Sequence, residues 1–116
     1  MSWTVDFHPD FAAEAQEFSD PVKSEIIASI RLLQALGPQL GRPAVDTLKG
    51  SKVKNMKELR FNADDGVWRV AFAFDPFRKA ILLCGGDKSG VSSARFYKSL
   101  IRTAEGRYAD HLRGTK

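Results

Sequence analysis

Arg60 and Arg69 stand in two consecutive runs, Met56 to Asn62 and Gly66 to Phe74, in which apolar residues recur at every second position. Successive side chains of an extended strand point to opposite faces. If Leu59 and Phe61 are core, Glu58 and Arg60 point away from it; if Trp68, Val70, Phe72 and Phe74 are core, so does Arg69. Both guanidinium groups are therefore expected on one uncovered sheet face. Lys54 and Lys57 border the start of the first run, Lys88 follows the next strand-like run, and the small Ala71 and Ala73 leave the face concave. Cations gathered on a shallow apolar floor repel one another unless a polyanion, or acids such as Glu58 and Asp87, offset them. Solvated arginines on a bare sheet face are the alternative, and the convergence of several cations favours the polyanion.

Other chemistries have less support. His8 and His111 lie at opposite ends of the chain in polar segments, so both are expected at the surface, without the partners that a metal site or nucleophile relay needs. Asp64-Asp65 precedes Gly66 and reads as hairpin turn chemistry, not as a carboxylate pair. Gly85-Gly86-Asp87-Lys88-Ser89-Gly90 lacks the four-residue spacer of a nucleotide-triphosphate loop. Cys84 is the one cysteine, which rules out an internal disulfide and leaves a small buried hydrophobe on a strand. Trp68 and Phe96 could stack on bases, but their spacing suits the core.

The elements that would position the arginines are legible. Trp3 to Phe7 alternates like a half-buried strand, and His8-Pro9-Asp10 then starts a helix through about Phe18. Asp20 can cap the next helix, Pro21 suits its first position, and Val22, Ile26, Ile27, Ile30, Leu33 and Leu36 form its stripe up to Gly37-Pro38. Gly37 to about Asn55 reads as a loop with a short irregular turn, carrying Arg42, Lys49, Lys52 and Lys54. Three strands, Met56 to Asn62, Gly66 to Phe74 and Lys79 to Gly85, are joined by Ala63-Asp64-Asp65-Gly66 and Asp75-Pro76-Phe77-Arg78 into an antiparallel meander. A closing helix follows from Tyr97, Leu100, Ile101, Ala104, Tyr108 and Leu112, with Arg95, Lys98 and Arg102 on another face. The order β-α-α-β-β-β-α predicts an α+β fold in which the helical hairpin covers one sheet face and the other stays available for a ligand.

At 116 residues, 43% hydrophobic and 28% charged, the sequence suits one domain over residues 1–116. The formal charge of +4 is unevenly spread: residues 1–41 hold two basic groups against six acids, residues 42–116 sixteen against eight. Such a field favours a polyanion at the basic part. No apolar run approaches the roughly 20 residues of a membrane span, and the start of the chain lacks a basic region followed by an apolar stretch, so a cytoplasmic protein away from membranes is expected.

Met56-Lys57-Glu58-Leu59-Arg60-Phe61, then Val67-Trp68-Arg69-Val70, then Ile81-Leu82-Leu83 with Gly85-Gly86-Asp87-Lys88, resemble the RelE/ParE superfamily of bacterial type II toxins, most nearly its HigB-like branch. The likeness extends over nearly the whole chain, including Leu48-Lys49-Gly50 and Phe96-Tyr97; each motif is short, and their order carries the specificity. It implies a RelE-like fold and a ribosome-dependent endoribonuclease that cuts mRNA without a metal or other cofactor, restrained by a cognate antitoxin, often a helix-turn-helix protein. RNA supplies its own nucleophile, the 2′-hydroxyl, so the enzyme orients it, removes its proton, stabilises charge on the phosphate and protonates the leaving oxygen. Under that resemblance Arg60 and Arg69 stabilise charge and Lys54, Lys57 or Lys88 moves a proton, with Glu58 as the other candidate base. Lys49, Lys52, Lys54, Tyr97 and Lys98 are expected to bind RNA. The chain departs from RelE in having Met56 and Glu58 where RelE has lysines, and Asp87-Lys88 where many relatives have two basic residues. A ParE-like toxin directed at DNA gyrase, or a non-catalytic module that docks RNA or an acidic protein, remain the other readings.

Overall fold

The computed structural model describes residues 2–114. Its strands are β1 (Thr4–Phe7), β2 (Val45–Thr47), β3 (Met56–Ala63), β4 (Gly66–Phe74) and β5 (Lys79–Asp87), and its helices α1 (Pro9–Ala15), α2 (Asp20–Leu36) and α3 (Ser93–Arg113). The strands form one sheet in the order β1-β5-β4-β3-β2. β1 runs parallel to β5, and the remaining pairs are antiparallel. The α+β architecture and the meander follow the sequence expectation. Asp64 and Asp65 both have positive φ, 54° and 62°, the conformation a two-residue hairpin turn demands.

α1 and α2 pack on one sheet face through Phe11, Val22, Ile26 and Leu33, which meet Leu59, Val70, Phe72 and Leu82. Only part of the expected α2 stripe takes part, because Ile27 and Leu36 face solvent. A second difference lies in the loop after α2: its short turn is a 3-10 turn (Gly37–Gln39), but an edge strand, β2, follows where only loop was expected. β2 pairs Val45 with Leu59 and Asp46 with Glu58. Three residues are too short to give the periodicity by which a strand is read from sequence.

The larger correction concerns the opposite face. It is not left open: α3 lays Leu100, Ala104 and Tyr108 across Met56, Ala71, Ala73, Ile81 and Leu83. The reason is in the strands, since Val70 to Phe74 and Ala80 to Cys84 are apolar without interruption and so must be buried on both sides. Ala71 and Ala73 therefore accommodate a helix, not a ligand. What remains uncovered is the β2–β3 margin of the sheet, where α3 begins.

Candidate active site

Arg60 and Arg69 are direct cross-strand partners in the β3–β4 ladder and share the α3 side of the sheet. Like charges placed directly opposite destabilise a sheet. Here each arginine has its own carboxylate: Asp46 on β2 lies 3.4 Å from Arg60, and Glu58 lies 3.9 Å from Arg69. Glu58 and Arg69 are 6% and 7% exposed, so this pair is screened little by water.

Tyr97, in the first turns of α3, closes the cluster. Its hydroxyl donates to Glu58 Oε1 at 2.8 Å and accepts from Arg69 Nε at 3.2 Å. Burial pushes the phenol above its usual range, and the hydrogen bond to Glu58 adds to that, so Tyr97 stays protonated at neutral pH. A second Arg69 nitrogen donates to the Trp68 carbonyl at 2.9 Å, which locks the guanidinium plane. Two depressions open beside this cluster. One of about 410 Å³ is walled by Asp46, Lys49, Glu58, Ser93 and Tyr97. The other, of about 670 Å³, is walled by Arg42, Pro43, Arg60, Phe61, Asn62 and Arg69.

The fold thus brings together Glu58, Arg60, Arg69 and Tyr97 from the expected set, with Lys49 at the rim. Lys88 lies one residue past β5, its N–H bonded to the Val67 carbonyl, and two residues beyond Gly86, the partner of Arg69 on that strand. Lys57 is not brought in, for it pairs with Phe72 and takes the α1–α2 side of the sheet. Lys52 and Lys54 are exposed in the loop before β3. Glu105 of α3 pins that loop, accepting from Ser51 Oγ at 2.9 Å and from the Lys52 N–H at 2.6 Å. Lys98 is exposed on α3.

The histidines differ from expectation. His8 is buried as the N-cap of α1, its Nδ1 accepting from the Asp10 N–H, and His111 contacts Asp75 at 2.8 Å. Both line one depression formed by the C-terminal end of α3 and the β1–β5 pair. Residues far apart in sequence meet there because β1 pairs with β5, which the local pattern does not reveal. Cys84 is a buried core thiol as expected, pushed up to about 12 by desolvation.

The family model described as "Phage derived protein Gp49-like" matches residues 13–109, most of the chain and every residue of the cluster. The chain belongs to this family, which falls within the HigB/RelE group of toxins. The Gp49-like chain is 44% identical over 88 residues to the toxin HigB2 of Mycobacterium tuberculosis, and 48% identical over 89 residues to HigB3 of the same organism. These matches cover 75% and 77% of this chain; they span 43% of HigB2, less than half its length, and 75% of HigB3. A free mutant form of E. coli toxin RelE superposes with a TM-score of 0.64 at 12% identity, over 88% of this chain and 96% of that one, which establishes a shared fold.

Sequence reasoning had missed Arg42 and Asp46 in this Gp49-like chain. Asp46 reaches Arg60 only through β2, and Arg42, four residues earlier, is 3.9 Å from the same carboxylate. The one available signal was a lone acid and a lone arginine flanking Pro43-Ala44-Val45 in an otherwise basic loop.

Proposed function

We propose that this Gp49-like chain is the toxin of a toxin-antitoxin pair, and that it cleaves mRNA in the cytoplasm, on the ribosome, by attack of the 2′-hydroxyl on the adjacent phosphate. The observation that carries the reading is the Glu58–Tyr97–Arg69 cluster between two depressions, one of them lined by Arg42, Arg60 and Arg69. Attack forms a bond from the 2′ oxygen to phosphorus and breaks the bond from phosphorus to the 5′ oxygen. The 2′ proton goes to Glu58, whose Oε1 is fixed by the Tyr97 hydroxyl. Arg69 and Arg60 meet the charge that gathers on the non-bridging oxygens. By analogy with oxyanion donors, each such preorganised cation is worth about 3 kcal/mol in the transition state. Lys88 is the candidate donor of a proton to the leaving 5′ oxygen. Lys49, Lys52, Lys54 and Lys98, on the loop that Glu105 ties to α3 and on α3 itself, would hold the strand by its phosphates.

A cognate antitoxin, by the family resemblance a helix-turn-helix protein, would restrain this activity and stabilise the chain by binding only its folded form. The test is controlled induction in bacteria with mapping of RNA ends. Wild type should arrest growth with cuts inside translated mRNA, and Arg69→Ala should relieve both. Growth arrest with intact transcripts would reject the nuclease and point to a protein target.

A further inference from the structure

The depression beside the cluster is the larger of the two and holds, besides Arg60 and Arg69, an arginine that the bond-breaking step does not use, Arg42. We propose that the hollow bounded by Arg42, Pro43, Arg60 and Asn62 is a nucleotide subsite in which Arg42 takes the phosphate next to the scissile one and Asn62 faces its base, and that Asp46 occupies the cations until RNA displaces it. This inference rests on the nuclease reading above.

The argument starts from charge. Asp46 accepts from Arg60 Nη1 at 3.4 Å and lies 3.9 Å from Arg42 Nε, so one carboxylate sits between two guanidinium groups. Phosphate offers arginine the same planar pair of oxygens that a carboxylate does. Neither contact is short, and the Arg42 side chain is 77% exposed, which makes Asp46 a competitor that is readily displaced.

The walls match a nucleoside. Pro43 gives it apolar surface, while the Phe61 ring stacks on Trp68 on the α1–α2 side of the sheet. Asn62, exposed at the end of β3, carries both a donor and an acceptor and could read a base edge. The subsite and the cluster are joined through Arg69, which lines this hollow and bonds Tyr97, a wall of the other. A strand crossing from one to the other therefore stays in contact with protein.

The test is binding of short 2′-O-methyl RNA, which lacks the nucleophile, to the intact chain by fluorescence anisotropy over a salt series. Arg42→Ala should weaken binding roughly tenfold and flatten the salt dependence by about 0.7, the loss of one phosphate contact on a single strand. Asp46→Asn should tighten binding several-fold, whereas a merely structural Asp46 would weaken it or leave it unchanged. Asn62→Ala should alter the preference between all-uracil and all-adenine strands without changing the salt slope. Arg31→Ala, exposed on α2 across the sheet, controls for net charge. Affinity and salt slope of Arg42→Ala equal to wild type, or no binding by the wild type, overturns the subsite alone; the nuclease reading is overturned separately, by intact transcripts on induction of the wild type.

Discussion

Arg60 and Arg69 are opposed across one ladder, yet they live in different environments. Arg69 is 8% exposed at its side chain and held on three sides, by Tyr97, Glu58 and the Trp68 carbonyl; Arg60 is 33% exposed and answers to Asp46. The first is preorganised, and the second can swing to a ligand. Lysine cannot reproduce the two directed bonds of Arg69. Arg69→Lys should therefore lower single-turnover RNA cleavage about a hundredfold, while Arg60→Lys should lose roughly tenfold or less. Equal losses from the two substitutions would remove the distinction.

Tyr97 couples helix docking to the cluster. Tyr97→Phe removes a hydroxyl that serves both Glu58 and Arg69, leaving two buried polar groups short of a partner, at a cost of about 1–3 kcal/mol in urea unfolding. Lys98→Ala, one residue on and exposed, should stay within about 0.5 kcal/mol of wild type. Alkaline titration reads the same environment. Burial raises both Tyr97 and Tyr108, with Glu58 and Asp75 respectively adding to it. Both phenols prefer to keep their protons in the folded state, so their contribution is whole below the unfolded value near ~10 and is lost as pH rises through the folded one. Near-ultraviolet absorbance should show tyrosinate forming late and together with unfolding; normal ionisation in the folded protein would contradict the burial.

Much of this site was legible because strand alternation is a hard rule. It put Glu58, Arg60 and Arg69 on one side, and applied to Lys57 it would have set that residue on the other, beside Leu59. The open face was misjudged because alternation ends where Val70 to Phe74 becomes apolar throughout, a pattern that calls for a second covering layer. Asp46 and the His8–His111 end were hidden for another reason. Both depend on strand pairings, β2 with β3 and β1 with β5: three-residue β2 leaves no periodic trace, and the alternation of β1 does not say which strand it joins.

The β3–β4 turn offers a stability test away from the site. Asp64 and Asp65 both occupy the left-handed region, which favours glycine, above all at the second position. Asp65→Gly relieves the Cβ strain but adds freedom to the unfolded chain, and the strain term is the larger where φ is positive. Stability should rise by up to about 1 kcal/mol with RNA cleavage unchanged, as read by urea unfolding and the cleavage assay. A loss of stability would mean that the Asp65 side chain contributes more than the turn geometry indicates.

The end of the sheet remote from the arginines should contribute to the acid limb of stability. Burial alone would push the fully enclosed Asp75 carboxyl up, but the hydrogen bond with His111 and those from the Lys79 and Phe77 N–H groups outweigh it and hold Asp75 below its ordinary value. A carboxyl depressed on folding stabilises the native state above its unfolded pKa, about 3.9, and loses that contribution as pH falls through the folded value. Asp75→Asn keeps the shape and the turn contacts but removes the charge facing His111. The variant should be less stable than wild type at neutral pH, by about 1–3 kcal/mol, and the gap should narrow as the pH drops below ~4 and wild-type Asp75 also becomes neutral. A gap that stays constant across that window would place the cost in packing, not in the carboxylate's charge.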